Sequence, residues 1–197
     1  MGKQTHFTGL EITAGAYIFL AVAALLIPLR LFAAWLIAVA VHECCHLVAV
    51  WLTGGQCNGV QIGMCGAKIE IAPMSSWKEI VCAAAGPMGS LMLLALSRML
   101  PLIALCGALQ AIWNLLPLYP LDGGRVLQTL VLILFPNRAD KVIRCIRCAV
   151  MLLLAGFCAV AILLLDLGVF PLLILIGIWV KTGTVKFPCK QRRLGVQ

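Results

Sequence analysis

Charge is scarce in this 197-residue chain: 11% of residues are Asp, Glu, Lys or Arg, where a soluble domain carries roughly 25%. Seven residues are acidic and three are His, so any polar chemistry must come from a very small set. With 63% hydrophobic residues and a mean hydropathy of +1.08, a water-soluble globule is excluded. No internal repeat, low-complexity linker or second polar domain interrupts the apolar runs. A single membrane domain over 1–197 is therefore expected. No small-residue cleavage site stands out before Pro28, and the first apolar segment reads as retained. The net charge of +8 invites a nucleic-acid reading. The Lys and Arg residues instead lie between apolar runs and at the C-terminus, as topology signals do, so no nucleic-acid partner is expected.

Apolar segments lie at about 12–29, 31–52, 80–97, 101–135, 143–165 and 168–182. A span needs about 20 such residues, so the expected fold is an all-α polytopic membrane protein with about six transmembrane helices. The 101–135 stretch is too long for one plain helix and holds Asn114, Pro117, Pro120, Asp122, Gly123 and Gly124, which should break it near its middle. Broken backbone at membrane depth is tolerated only inside protein or beside a cavity, so the break marks a functional interior. Residues 60–71 alternate apolar and polar side chains around Cys65-Gly66 and read as a short β-hairpin on the cytoplasmic side. An exposed edge there suits an extended substrate segment.

Lys3, Lys68, Lys78, Arg138, Lys141, Arg144, Arg147, Lys181, Lys186, Lys190, Arg192 and Arg193 fall on one side of this arrangement. Arg30 and Arg98 fall on the other, and Arg125 lies within the interrupted segment. That bias puts both termini in the cytoplasm of a multi-pass cell-membrane protein. The segments divide into a core at about 10–135, accessory helices at about 143–182 and a basic tail at 183–197.

Within the second apolar run stands His42-Glu43-Cys44-Cys45-His46. On a helix His42 and His46 lie one turn apart on one face, able to reach one metal ion, with Glu43 beside them as an acid/base. Ionisable groups at this depth, about 10–15 Å from the cytoplasmic end of the helix, mark function by default. A catalytic zinc takes three protein ligands. Asp140 lies in a basic loop, Asp166 at an outer helix end, and Glu70 and Glu79 in the polar region after the second helix. Asp122 remains, read either as a carboxylate capping the turn or as the third ligand, with the incomplete zinc pair favouring ligation. Asn114 reads as a group for an oxyanion or substrate, or as an amide packing between helices. The ten cysteines lie mostly in apolar segments, where Cys is a small hydrophobe.

The pair His42-Glu43-x-x-His46 and Asn114-Leu-Leu-Pro-Leu-Tyr-Pro-Leu-Asp122-Gly-Gly-Arg, in this order, resembles the site-2 proteases, intramembrane zinc metalloproteases. Ala84-Ala-Gly-Pro-Met-Gly-Ser90 resembles that family's third-helix motif, which commonly has Asn where this chain has Ser90. The resemblance covers about residues 10–135. It implies Zn2+ held by His42, His46 and Asp122, Glu43 as catalytic acid/base, and direct hydrolysis without an acyl-enzyme. It also implies a membrane protein or membrane-associated peptide as substrate and an inhibitory membrane partner. The small size, without a PDZ or CBS domain, is similar to the stage IV sporulation protease, which points to a sigma-factor precursor; an anti-sigma factor is the other substrate class. Two rival readings are a divalent-metal transporter and an inactive membrane scaffold.

Overall fold

In the computed structural model the described residues are 9–63, 66–165, 175 and 176. The expected span at 168–182, apart from residues 175 and 176, the basic tail at 183–197 and the hairpin tip at 64 and 65 lie outside them. The order is β1 (Leu10–Ile12), α1 (Ala14–Leu26), α2 (Leu29–Leu52), β2 (Cys57–Gly63), β3 (Gly66–Ile71), α3 (Ser76–Met92), a 3₁₀ turn (Leu93–Leu96), α4 (Pro101–Asn114), α5 (Asp122–Leu134) and α6 (Ala139–Leu165). The chain divides into two compact units, Met1–Asn114 and Leu115–Gln197.

Among the described residues, three stretches are long and apolar enough to cross a membrane: Leu29–Leu52, Ser76–Leu96 and Ala139–Leu163. At 1.5 Å per residue, α2 reaches about 36 Å, more than the roughly 30 Å of a hydrocarbon core. The helices α1 and α4 are apolar but shorter, at 13 and 14 residues. The first expected span, at about 12–29, is corrected at its start: Ile12 ends a strand begun at Leu10, and the helix starts only at Ala14. Leu10-Glu11-Ile12-Thr13 alternates with period two, a pattern that favours a strand over a helix. The helix over the expected 143–165 segment, α6, starts earlier, at Ala139, so its first turn carries Asp140 and Lys141.

In the first unit β1, β2 and β3 form one sheet in that order. The expected hairpin is present: β2 and β3 pair antiparallel, with Val60 opposite Ile69 and Gly63 opposite Gly66. The added strand β1 pairs parallel to β2, Glu11 opposite Gln61, and the Gln61 Nε2 donates to Glu11 Oε2 at 3.5 Å. The strand β2 is thus central, and among the described residues the sheet edges are the outer sides of β1 and β3. Beyond the sheet, α2, α3 and α4 pack together. Ala34 and Ala38 of α2, Leu93 and Cys106 form one buried cluster, bordered by Trp35, Val41 and Ile103. Ala49, Val50 and Cys82 form another. Small residues at these contacts let helix backbones approach closely, as membrane helices require.

In the second unit, residues 115–121 break the interrupted segment, as expected from its Pro and Gly content. This connection folds back on the first turn of α5. A Cβ on Gly123 would collide with the Leu115 carbonyl, and one on Gly124 with the backbone of Leu118 and Tyr119. Only glycine permits that approach. Val131 packs with Ala139 and Ile143 to join α5 to α6. Along α6 the apolar side chains Leu152, Leu153, Phe157 and Leu163 are largely exposed. Such a surface suits lipid rather than water.

Candidate metal centre

The site begins with the helical repeat of α2. One turn separates His42 and His46, and both side chains are buried, at 2% and 6% exposure. Their Nε2 atoms lie 3.2 Å apart. Two bare lone pairs cannot face each other at that distance without a shared proton or a cation between them.

The other ring nitrogens are held by α3. The Nδ1–H of His46 donates to the Cys82 carbonyl at 2.7 Å. A carbonyl can only accept, so this bond keeps the proton on Nδ1 and leaves Nε2 of His46 as a lone-pair donor to a metal. His42 Nδ1 lies 2.9 Å from Ser90 Oγ. Between these anchors sits Gly86, where a Cβ would run into the His46 ring and come within 2.8 Å of His42 Nε2. Just over two turns of α3, about 2.2 at 3.6 residues per turn, therefore meet one turn of α2, with glycine at the point of closest approach. The pairing of His46 with Cys82 and His42 with Ser90 runs in opposite chain directions, so α2 and α3 are antiparallel.

Pro87 lies inside α3 and lacks the N–H that would bond the Ala83 carbonyl. Gly89 completes the small face: a Cβ there would strike the Cys45 side chain. This accounts for one of the two cysteines between the histidines, since Cys45 packs on α3 while Cys44 is exposed.

Zinc fits this donor set. Tetrahedral zinc with bonds of 2.0–2.1 Å places two nitrogen ligands about 3.3 Å apart, close to the separation of the two Nε2 atoms. Metal-binding histidines also characteristically donate the second ring N–H to a carbonyl or similar group. Glu43 is half-buried beside the pair on α2. Among the described residues, His42 and His46 of the first unit and Asp122 of the second are each buried, and each side chain is of a type that ligates zinc.

Asp122 belongs to the second unit, where it is the first residue of α5 and 8% exposed. Leu121, not Asp122, holds the N-cap position. A carboxylate in the first turn is favoured by the helix dipole, and Arg125 Nη1 approaches Asp122 Oδ1 at 3.8 Å. The Asn114 amide Nδ2 donates to the Gln110 carbonyl one turn earlier in its own helix, at 3.1 Å. Sequence reasoning missed Gly86, the Cys82 carbonyl and the bond of Ser90 to His42. One signal was present: residues 82, 86 and 90 share the four-residue spacing of His42 and His46 and so lie on one stripe.

The model of Peptidase family M50 matches residues 89–155, which include the Asn114–Arg125 motif and follow the histidine motif. No curated protein matches the sequence. The fold is similar to that of a site-2 protease from Methanocaldococcus jannaschii, with a TM-score of 0.63 and 19% identity, over 90% of this chain and 92% of that chain. The family match thus covers the second motif alone, and the structural likeness shows that the fold is that of a site-2 protease.

Proposed function

We propose that this chain hydrolyses peptide bonds of transmembrane or membrane-associated substrates, with His42, His46 and Asp122 holding one zinc ion and Glu43 as acid/base. The observation that carries the reading is the imidazole pair: buried, with Nε2 atoms at 3.2 Å and the Nδ1 atoms engaged by α3. Bound zinc supplies Lewis-acid polarisation and makes water more acidic. The chain supplies the rest. The Glu43 carboxylate takes a proton from the attacking water and returns it to the leaving amine nitrogen. The buried helix faces limit bulk water at the centre, which strengthens each electrostatic contact. Asn114 can serve a substrate carbonyl only by releasing the Gln110 carbonyl it now holds.

Substrate enters in this reading as an unwound segment added to the outer edge of β3, since β1 already occupies the other side of β2. The distribution of Lys and Arg supports a multi-pass arrangement with both termini and the sheet on the cytoplasmic side. A sigma-factor precursor or an anti-sigma factor fits as substrate, and an inhibitory membrane protein as partner, by likeness to the family alone.

The ligand set is tested by metal analysis of the purified protein in detergent. Wild type should hold one zinc per chain, and Asp122→Ala should lose both zinc at chelator concentrations tolerated by wild type and cleavage of a transmembrane peptide. Full zinc retention by Asp122→Ala would remove Asp122 from the site. Zinc flux into sealed vesicles without peptide cleavage would favour the transporter reading, and zinc binding without either activity the inactive scaffold.

A further inference from the structure

We propose that Ser90 is a positioning residue for His42: its hydroxyl accepts from Nδ1–H and so presents Nε2 to the metal. The proposal rests on the reading of His42 and His46 as zinc ligands. Its basis is a mismatch of spacing between two packed helices. His42 and His46 are four residues apart, about 6 Å along α2, whereas Cys82 and Ser90 are eight apart, about 12 Å along α3. Each Nδ1 nonetheless reaches its own anchor, His46 the Cys82 carbonyl at 2.7 Å and His42 the Ser90 hydroxyl at 2.9 Å. The rings therefore splay at their Nδ1 ends and converge at Nε2, on the Gly86 backbone midway between the anchors. The interplanar angle of 85° and centroid separation of 4.8 Å describe the same tilt.

The anchors differ in kind. A main-chain carbonyl cannot be removed by substitution and accepts only, which ties His46 to one tautomer. A hydroxyl both donates and accepts, so Ser90 can accept from His42 Nδ1–H while its own proton turns toward a preceding helix carbonyl. Ser90 is fully buried, and bulk water does not reach this contact. Alanine at 90 removes the oxygen without cost to helix propensity, which isolates the anchor from the fold.

The experiment measures zinc affinity of the purified full chain in detergent by chelator competition for wild type, Ser90→Ala and His42→Ala. It also records histidine 15N–1H spectra of the zinc-loaded wild type and Ser90→Ala. Losing an outer partner of a metal-bound histidine typically lowers metal affinity 10- to 100-fold, and that loss is expected for Ser90→Ala. The His42 Nδ1–H resonance should shift while that of His46 stays in place. An affinity within twofold of wild type would overturn the proposal. Equal movement of both histidine resonances would also overturn it, because general loosening of α3 acts on both rings. If His42→Ala binds zinc as wild type does, the ligand reading itself fails. If His42→Ala loses zinc while Ser90→Ala does not, the Ser90 inference alone fails.

Discussion

Replacing Gly86 with alanine adds one methyl group at the point where α3 meets both imidazoles. That Cβ would lie 2.8 Å from His42 Nε2, whereas ordinary contact begins at 3.4 Å, and it would overlap the His46 ring more deeply. With the backbone fixed, His42 must retreat by about 0.6 Å. Metal–ligand distances tolerate about 0.2 Å, so the rings cannot both stay in place and hold zinc. Overpacking of this kind typically costs about 1–3 kcal/mol. Charged to the zinc-bound state, that is about a 5- to 150-fold loss of affinity. Alanine also raises helix propensity by up to about 1 kcal/mol, which offsets part of the strain, so zinc affinity reports the ligand geometry more directly than melting does. The assay is therefore chelator competition for zinc on protein in detergent, with Gly156→Ala as control, since a Cβ at Gly156 meets nothing within 4 Å. Gly86→Ala should lose zinc affinity and Gly156→Ala should not. Wild-type affinity in Gly86→Ala would refute the placement of the α3 backbone against the ligands.

Two further predictions separate packing from chemistry. Gly89→Ala drives a methyl into the Cys45 side chain rather than the imidazoles. It should lower stability by about 1–3 kcal/mol with zinc affinity within about threefold of wild type, read by thermal melting and chelator competition together; Cys45→Ala should recover only part of the stability, because the Cys45 Cβ itself would lie 2.8 Å away. Along β3, adjacent residues alternate in whether the N–H points to β2 or outward. Of Lys68→Pro and Ile69→Pro, the one that removes the outward N–H should cut peptide cleavage at least tenfold at unchanged zinc content, and unaltered cleavage in both would exclude strand addition there.

How much of this was legible in the sequence depended on whether side chains or backbone carried the signal. The His42–His46 pairing follows from helical periodicity alone, and both rings are indeed buried together. The break between α4 and α5 was written in Pro117, Pro120, Gly123 and Gly124, and the two glycines turn out to admit the returning connection. The hairpin followed from alternation over a dozen residues. Three residues of alternation were too few to separate β1 from the apolar run that follows, so the first helix was read too long. The Cys82 carbonyl has no sequence signature, because any residue supplies one. Ser90 looked like a departure from a small-residue motif until its hydroxyl was seen against His42.

The central claim is that zinc binding and peptide hydrolysis share one site in which Glu43 moves the proton. The most direct measurement compares wild type and Glu43→Gln, purified and reconstituted in lipid vesicles, for zinc content and for cleavage of a transmembrane peptide. The substitution preserves side-chain shape and removes the basic carboxylate, so both proteins should carry one zinc per chain and only wild type should cleave. Cleavage by purified Glu43→Gln at a rate comparable to wild type would contradict the account.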